Sequence, residues 1–395
     1  MDFNDSPQEA EFRQEARRWL QENAPRFNNQ EQTHDVKAYV ALAREWQKCK
    51  ADKGYAAIRW PREEGGLDGT PMQEVIFQDE EAKYPLPVGP LVTIGTQLAV
   101  PTIRKHGTAE QIEQFTRPTL HGDTLWCQLF SEPSAGSDLA NIRTRAVKDG
   151  DDWVINGQKV WTSWAHISDW GILIARTDPS LTKHKGLTYF LVDMRSAGID
   201  VRPIRQISGE SEFNEVFFTD LRIPDACRIG AVGEGWKCAM TTLMNERVSV
   251  GGESQDLPRV EELIQQVQRS GQHPDRHRIA QMLTQELGLR NFRFRLLTSL
   301  SKGETPGPIA AMSKLVYANL LQDLSAMGLD SAGMNGVCAT TDPLLKKFQH
   351  GYTWSAALRI AGGTDEILRN QIAERVLGMP GEIRVDKDIP FTQCR

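Results

Sequence analysis

The spacing of apolar residues changes twice along the 395-residue chain. Up to about Gly122 the apolar residues recur at i, i+3 and i+4, which is the spacing of a helix face. From about Leu125 to Pro224 they alternate with polar residues, which is the spacing of a half-buried strand. Helical spacing returns near Gly235 and continues to the end of the chain. This pattern restricts the fold to helices, then a sheet, then helices again.

We therefore expect an α+β multidomain protein built from three parts. These are an N-terminal α-helical domain at residues 1–122, a middle β domain of barrel or sandwich type at residues 123–232, and a C-terminal helical bundle at residues 233–395. The length agrees, since a domain commonly holds about 150 residues. The strands expected inside the middle domain include Gly171 to Ala175, Leu187 to Asp193, Ile199 to Ile204 and Glu215 to Phe218.

The strongest turn signal in the middle domain is the pair Asn156-Gly157, which lies between two apolar runs. Asparagine and glycine both accept the positive φ angles that a two-residue hairpin turn requires. The pair therefore predicts a β-hairpin with its turn at these two residues. Trp161, Thr162 and Ser163 then stand at the end of the second strand of that hairpin.

The composition argues against several classes of partner and site. The 46 basic and 52 acidic residues give a net charge of −6, which argues against a chain-wide surface for nucleic acid or an anionic membrane. The apolar stretches are far shorter than the ~20 residues of a membrane span, and no signal peptide is evident. The six cysteines are scattered without a Cys-x-x-Cys pair. We expect no disulfide framework, no metal site, no integral membrane segment and a cytoplasmic location.

Two segments of the middle domain carry residues suited to a cofactor. Ser131 to Leu139 reads Ser-Glu-Pro-Ser-Ala-Gly-Ser-Asp-Leu, a compact turn whose backbone N–H groups can surround a diphosphate. An ordinary loop between strands is an equally good interpretation of these residues alone. Trp161 followed by Thr162 and Ser163 can cover a flat ring and hydrogen-bond to its edge. The alternative is an aromatic residue in the face of a sheet.

A third segment, Met244 to Arg247, places a carboxylate on an otherwise apolar helix. A carboxylate in an apolar wall has a raised pKa, so Glu246 is a candidate base near neutral pH. The alternative is an exposed glutamate beside a solvated Arg247. The familiar nucleotide motifs are missing: Gly233-Glu-Gly235 lacks the third glycine of a dinucleotide-binding turn, and the sequence has no P-loop and no Gly-x-Ser-x-Gly elbow.

Taken together, these segments resemble the acyl-CoA dehydrogenase family, and the resemblance covers nearly the whole chain. Several motifs in the right order make it specific, and the helix–sheet–helix order agrees with it independently. The segments that carry the resemblance are Gly54 to Gly66, Ser131 to Leu139, Asn156 to Ser163, Val232 to Trp236, Gly362 to Ile367 and Ala373 to Gly378.

The resemblance implies FAD as cofactor and an acyl-CoA thioester as substrate. Carried over residue by residue, the positions implied to hold FAD are Gln128, Phe130, Ser131, Gly136, Ser137, Trp161, Thr162, Ser163, Thr364 and Glu366. The positions implied to contact the substrate are Ser137, Met244, Arg247 and Gly362.

The resemblance also implies which residue removes the α-proton of the thioester. Medium- and short-chain members use the glutamate that heads a C-terminal Glu-Gly-Thr motif, but that position is Gly362 here. Isovaleryl- and long-chain-type members use a glutamate directly before an arginine on an earlier helix, and that position is Glu246. The implied reaction gives a 2-enoyl-CoA: Glu246 takes the α-proton, a hydride passes from Cβ to flavin N5, and electrons go on to an electron-transfer flavoprotein.

Two segments depart from the family pattern. Many members carry Arg-x-x-Phe-Gly early in the C-terminal domain, where it reaches the FAD of a neighbouring subunit, but Arg269 to Pro274 lacks the Phe-Gly. The glycine-rich segment Ala332 to Gly336 is altered as well. Either the chain forms a homodimer or homotetramer with a variant contact, or it forms a hetero-oligomer with a related subunit.

Three functions are therefore compared. The first is a dehydrogenase that reduces an electron-transfer flavoprotein, and the retained Glu246, Ser131 and Trp161 favour it. The second is a relative with oxidase chemistry, of the acyl-CoA or nitroalkane type. The third is a non-catalytic or flavin-sharing subunit of a hetero-oligomer, which the altered Arg269 segment favours. Because Gly362 leaves the pocket wall small, we expect a branched, bulky or ring-bearing acyl group.

Overall fold

A computed structural model describes residues 5–27, 36–87, 89–249, 257–271, 275–301, 309 and 311–394, without the side chains of residues 90, 91, 246–249, 297, 300 and 301. The chain forms two compact units. One unit holds the residues up to Leu20, Thr70–Lys83 and Arg247–Gly381, and the other holds Gln21–Gly69, Tyr84–Glu246 and Glu382–Arg395. No helix within the described ranges is long and apolar enough to cross a membrane. The predicted domain boundaries at 122/123 and 232/233 stay a prediction.

Helices precede and follow a single sheet, which confirms the expected α+β fold. The helices before the sheet are α1 (Pro7–Asn23), α2 (Val36–Lys53), α3 (Pro71–Glu81), α4 (Pro90–Thr93), α5 (Val100–His106) and α6 (Ala109–Leu120). A π-helical turn at Ile94–Ala99 joins α4 to α5. The helices after the sheet are α7 (Gly235–Ser249), α8 (Val260–Ser270), α9 (Arg276–Ser301), α10 (Ala311–Ala332), α11 (Met334–Val337), α12 (Pro343–Leu358) and α13 (Asp365–Arg375).

The first helix begins where its sequence supplies a cap. Ser6 donates its N–H to a Glu9 carboxylate oxygen over 2.7 Å, and the Glu9 N–H returns to Ser6 Oγ over 3.3 Å. These two bonds satisfy backbone donors that the first turn of a helix leaves without partners. The apolar stripe of α1 then buries Phe12, Ala16 and Leu20. The cap thus accounts for where this helix begins, and the apolar stripe accounts for the face that it buries.

The middle of the chain forms an eight-stranded mixed sheet. Its strands are β1 (Trp126–Leu129), β2 (Arg145–Asp149), β3 (Asp152–Ser163), β4 (Trp170–Arg176), β5 (Leu187–Asp193), β6 (Ile199–Pro203), β7 (Phe213–Pro224) and β8 (Arg228–Ile229). The main path runs β6-β7-β3-β2-β4-β5-β8, and β1 pairs in parallel with β4. Alternate residues of β4 and β5 enter two separate apolar clusters, so these strands are buried on both faces.

The predicted hairpin turn at Asn156-Gly157 is wrong, because both residues lie inside β3. The pairing of β3 with β7 shifts register between Ile155 and Gly157, which marks a β-bulge. A Cβ on Gly157 would lie 2.5 Å from Thr144 Oγ1, so glycine is needed for a close approach rather than for a turn. The chain instead reverses between β2 and β3 at Gly150, whose φ is +60°. Bulge and turn thus use the same residue types.

The helices α8, α9, α10 and α12 share one apolar core in their unit. Phe348 on α12 is fully buried there, beside Leu320 and Leu324 of α10. A Cβ on Gly328 of α10 would lie 2.2 Å from the Phe348 ring, so this glycine lets α10 and α12 pack closely. The segment that begins at Arg269 is described only up to residue 271, and residues 272–274 lie outside the described ranges.

Candidate active site

The first predicted cofactor residues lie at the end of β1. Gln128 lies in β1, and Phe130 and Ser131 follow directly after the strand. Phe130 is buried, and its ring meets the Tyr189 ring edge-on with centroids 5.9 Å apart. Aromatic contacts of this geometry restrict both rings. The packing therefore fixes the point at which the chain leaves the sheet toward Ser131.

The loop after Ser131 has the tight shape that its sequence predicts. Glu132 and Ala135 exchange two backbone hydrogen bonds of 3.1 and 3.0 Å. Gly136 and Ser137 beyond this turn are exposed, and an added Cβ on Gly136 would meet nothing within 4 Å. Both residues are thus accessible to solvent, and successive N–H groups in such a loop can bind an anion such as a diphosphate.

Trp161 stands in an unusual conformation at the end of β3. The register of β3 against β7 shifts between Lys159 and Thr162, and Trp161 has a φ of +59°. A bulky residue rarely adopts positive φ, and such strain concentrates at functional sites. The side chain is 60 % exposed, although its ring meets the Phe213 ring edge-on at 5.9 Å. A large aromatic surface is thus held toward solvent.

The two hydroxyl residues after Trp161 differ in their surroundings. Thr162 is fully buried, and its Oγ1 has no hydrogen-bond partner among the described residues. Its carbonyl accepts a 2.9 Å bond from Asn214 Nδ2. Ser163 is partly exposed and pairs with Phe213 in the ladder of β3 and β7. A buried hydroxyl without a partner is costly and rare, so it marks a place where a further polar group fits.

A backbone hydrogen bond joins the two segments predicted to hold the cofactor. The Val160 N–H donates to the Ser131 carbonyl over 2.9 Å. Between the segments lies an ion pair of Lys159 and Glu132, both nearly fully buried. Sequence reasoning missed this pair, although each residue stands inside a quoted motif. The available signal is a glutamate in the Ser131–Leu139 motif and a lysine in the Asn156–Ser163 motif, two opposite charges that can pair.

Lys183 links the same loop to the C-terminal segment of the chain. Lys183 Nζ binds both Asp138 carboxylate oxygens at 3.0 Å and Asp386 at 2.7 Å. Burial alone would lower the pKa of Lys183, but the two carboxylates raise it above its usual value. Phe391 lies over the buried Arg176 guanidinium with 3.5 Å between the guanidinium carbon and the ring centroid. The loop that carries Ser137 is thus anchored by a segment distant in sequence.

Helix α7 carries the predicted base, and the part before it is anchored in the core. The Thr242 hydroxyl forms hydrogen bonds with Thr102 Oγ1 at 2.8 Å and with Tyr189 Oη at 3.0 Å. All three side chains are buried. Met244, one of the predicted substrate contacts, is 51 % exposed. Glu246 and Arg247 belong to α7 by their backbone, and their side chains lie outside the described residues.

The remaining predicted residues belong to the other compact unit. Gly362 and Gly363 have φ angles of +65° and +100°, a turn that favours glycine. Lys314 Nζ donates to the Gly363 carbonyl over 2.6 Å. Thr364 caps α13 by accepting the Ile367 N–H over 3.2 Å, and Glu366 lies in the first turn of α13. The turn before α13 is thus fixed by a buried lysine and a cap.

The residues of the sheet unit suit a flat cofactor with a diphosphate. Trp161 offers an aromatic face, Thr162 offers a hydroxyl without a partner among the described residues, and Gly136 and Ser137 are exposed residues of a tight loop. These three properties are the ones that an isoalloxazine ring and a diphosphate require. The described residues contain no cluster of three or more His, Cys, Asp or Glu side chains that could hold a metal ion.

Models of one protein family match most of the chain. The acyl-CoA dehydrogenase N-terminal domain matches residues 6–123, the middle domain matches residues 127–221, and the C-terminal domain matches residues 233–377.

Individual proteins of known sequence or structure are similar over nearly the whole chain. The acyl-CoA dehydrogenase IpdE1 of Mycolicibacterium smegmatis is 38% identical over 95% of this chain and 98% of its own length. The acyl-CoA dehydrogenase FadE34 of Mycobacterium tuberculosis is 41% identical over 85% of this chain, which spans only 46% of that protein. A solved structure described as "Tcur3481-Tcur3483 steroid ACAD" has a TM-score of 0.81 at 26% identity and covers 97% of this chain and 100% of its own.

Proposed function

The chain belongs to the acyl-CoA dehydrogenase family of flavoprotein oxidoreductases, and on this premise we propose that it oxidises the Cα–Cβ bond of an acyl-CoA thioester to a 2-enoyl-CoA. The observation that carries the proposal is the contact between two segments. The hydrogen bond from the Val160 N–H to the Ser131 carbonyl joins the segment of Trp161 to the loop to which we assign the diphosphate. A flavin with its diphosphate needs both features at once.

The sheet unit supplies most of the residues to which we assign FAD. We assign the ring to Gln128, Phe130, Ser131 and the Trp161–Ser163 segment, and the diphosphate to Gly136 and Ser137. Thr364 and Glu366, at the start of α13, are further assigned positions. Bound FAD supplies the acceptor for the hydride that leaves Cβ. The part of this chain is to hold the ring, to exclude water and to align the thioester.

Glu246 is the residue that we assign as the base for the α-proton. The α-proton of a thioester is weakly acidic, so its removal requires a carboxylate placed against it. Gly362 cannot provide one because it has no side chain, whereas Glu246 precedes Arg247 on α7. The core contacts of Thr242, one helical turn earlier, hold this helix in place. We assign Ser137, Met244, Arg247 and the backbone of Gly362 to the substrate.

Replacement of the assigned base tests the proposal. Glu246→Gln keeps the size of the side chain and removes its basicity, so bound flavin is retained while its reduction by thioester slows ~10³-fold or more. Glu234→Gln is the matched control, because this glutamate precedes α7 and its side chain is 45% exposed. Rapid mixing with acyl-CoA under anaerobic conditions gives the rates. Full-rate reduction in Glu246→Gln contradicts the assignment.

A bulky, ring-bearing acyl group is the substrate class that we propose. Gly362 leaves the wall free of the side chain that other members carry there, and one similar structure is described as a steroid enzyme. A pocket for a large group loses contacts with a small one. A panel of CoA thioesters therefore gives the highest kcat/KM for a ring-bearing or branched acyl group. A preference for short straight chains contradicts the substrate class.

An electron-transfer flavoprotein is the proposed electron acceptor, and the cytoplasm is the proposed location. All six cysteines are free thiols, as expected in a reducing compartment. The second candidate function is that of a flavin-sharing subunit in a hetero-oligomer. Two observations favour it: the description of the similar structure pairs two proteins, and the sequence after Arg269 lacks the Phe-Gly of the family motif. Co-purification of the chain with native partners distinguishes the two. A homo-oligomer that contains FAD supports the first function, and a colourless chain that gains FAD with a second subunit supports the other.

A further inference from the structure

A lysine is fully buried in the sheet at the centre of the candidate flavin site. Lys159 is 0% exposed, and its Nζ donates one hydrogen bond to the Phe130 carbonyl and one to Glu132 Oε1, both over 2.9 Å. Lysine almost never reaches full burial without a partner, because its ammonium group loses its hydration. Here the carboxylate and the carbonyl replace part of that hydration.

The carboxylate of Glu132 is bound from two further directions. It accepts the backbone N–H of Arg143 over 2.6 Å and of Thr144 over 2.9 Å. Burial alone would raise the pKa of Glu132, but Lys159 and these donors lower it below its usual value. Burial lowers the pKa of Lys159 to about 8. A buried ion pair of this kind rarely adds net stability compared with apolar residues of the same shape. Stability therefore does not explain why the pair is present.

The position of the ion pair between the Ser131 segment and the Trp161 segment indicates a role in their spacing. Phe130, whose carbonyl binds Lys159, immediately precedes Ser131, and Lys159 stands two residues before Trp161. The bulge that turns Trp161 to a φ of +59° begins at Lys159. With the bond from Val160 to Ser131, three hydrogen bonds cross between the two segments. An apolar residue at 159 could fill the same space but could not fix the distance between the two backbones.

We propose that Lys159 and Glu132 are positioning residues that set the spacing between the Ser131 segment and the Trp161 segment, so that both contact one flavin ring. The inference rests on the proposed function and deepens it, since it names what shapes the ring site. Both side chains are buried in the sheet, and we assign neither of them a contact with the ring. They act through the Phe130 carbonyl and through the backbone just before Trp161.

The test removes both charges together, because Lys159→Met alone would leave the Glu132 carboxylate buried without its cation. The double variant Lys159→Met with Glu132→Gln keeps the shape of both side chains. Arg222→Met is the matched control, since Arg222 also pairs with two carboxylates in the sheet, Asp149 and Asp152, but is 56% exposed and outside both segments. The affinity of the full chain for FAD is measured by quenching of FAD fluorescence, and visible circular dichroism reports the setting of the bound ring.

We expect the double variant to stay folded, with a Tm within about 5 °C of wild type. We also expect its Kd for FAD to rise about ten-fold or more and the circular dichroism band of its flavin to change, with both unaltered in Arg222→Met. In Glu132→Gln alone, Lys159 can lose its proton, because burial already lowers its pKa to about 8, and the neutral amine keeps its bond to the Phe130 carbonyl. We therefore expect a smaller rise of about three-fold.

Folded variants with the Kd and flavin circular dichroism of wild type overturn the positioning role alone. If the double variant does not fold, Glu132→Gln decides the question by the same two readouts. Wild-type protein that binds no FAD contradicts the proposed function and this inference together. The two failures are therefore distinguishable by the wild-type measurement.

Discussion

Glu132 in the sheet unit and Glu80 in α3 of the other unit are both buried carboxylates, but different groups neutralise them. Glu80 is 1% exposed and binds three cations, Arg13, Arg17 and Lys83, whose side chains are 26%, 48% and 56% exposed. Glu132 binds a single cation, the fully buried Lys159, and two backbone N–H groups. The cations at Glu80 therefore come from side chains that reach solvent, whereas the cation at Glu132 comes from the protein interior.

The difference indicates what each cluster can do. Long side chains reach Glu80 from Arg13 and Arg17 of α1 and from Lys83, which follows α3. Each can turn to solvent if the carboxylate is lost. Lys159 has no such escape, and the N–H groups that bind Glu132 belong to fixed points of the backbone. The cluster around Glu80 therefore joins two helices redundantly, whereas the pair at Glu132 specifies a geometry. A specified geometry is what a cofactor site needs.

Loss of the buried lysine alone has the largest expected effect. Lys159→Met leaves the Glu132 carboxylate buried without its cation and should lower the free energy of unfolding by about 3–5 kcal/mol. Addition of Glu132→Gln should recover most of that loss, because no buried charge then remains. Urea titrations of the two variants measure both effects. A single variant as stable as wild type would show that the pair is not electrostatically coupled.

Loss of the carboxylate at Glu80 has a smaller expected effect, about 1–2 kcal/mol for Glu80→Gln, since the three cations can reach solvent. Burial alone would raise the pKa of Glu80, but its hydrogen bonds with Arg17, Lys83 and Arg13 lower it from 4.5 to about 2. Because the pKa of Glu80 is lowered in the folded state, its carboxylate stabilises the fold at pH values above 4.5. That stabilisation is lost as the pH falls from 4.5 toward 2.

The acid unfolding of wild type should therefore be steeper than that of Glu80→Gln over this interval. Thermal melts at several pH values provide the comparison. Parallel pH profiles for the two proteins would contradict the role given to the three cations.

Removal of one of the three cations should have the smallest effect. Arg17→Ala takes away two of the hydrogen bonds to Glu80, at 2.9 and 3.1 Å, while Arg13 and Lys83 remain. Its side chain is 48% exposed, so we expect a loss of no more than about 1 kcal/mol by urea titration. A loss as large as that of Lys159→Met would erase the distinction between the two clusters.

The sequence predicts the local structure better than the long-range contacts. The order of helices and strands follows from periodicity, and the helix after Ser6 follows from its capping pattern. The turn at Asn156-Gly157 was misplaced because a bulge and a hairpin turn both favour glycine, and only the partner strand distinguishes them.

The buried clusters were not predictable from spacing. Glu80 meets Arg17 across 63 residues of sequence, and Lys159 meets Glu132 across 27. Only Lys83, three residues after Glu80, lies near its partner in the sequence. The assigned cofactor residues could be named from motifs. The positive φ of Trp161 and the buried hydroxyl of Thr162, which has no partner among the described residues, are visible only in the structure.

The most direct test of the central claim is an absorption spectrum of the purified chain before and after anaerobic addition of acyl-CoA thioesters, ring-bearing ones included. We predict a yellow protein whose flavin band bleaches with thioester, because we assign FAD and the oxidation of the thioester to the same site. A colourless chain would contradict FAD binding by this chain alone. A yellow chain that no thioester reduces would contradict the dehydrogenation.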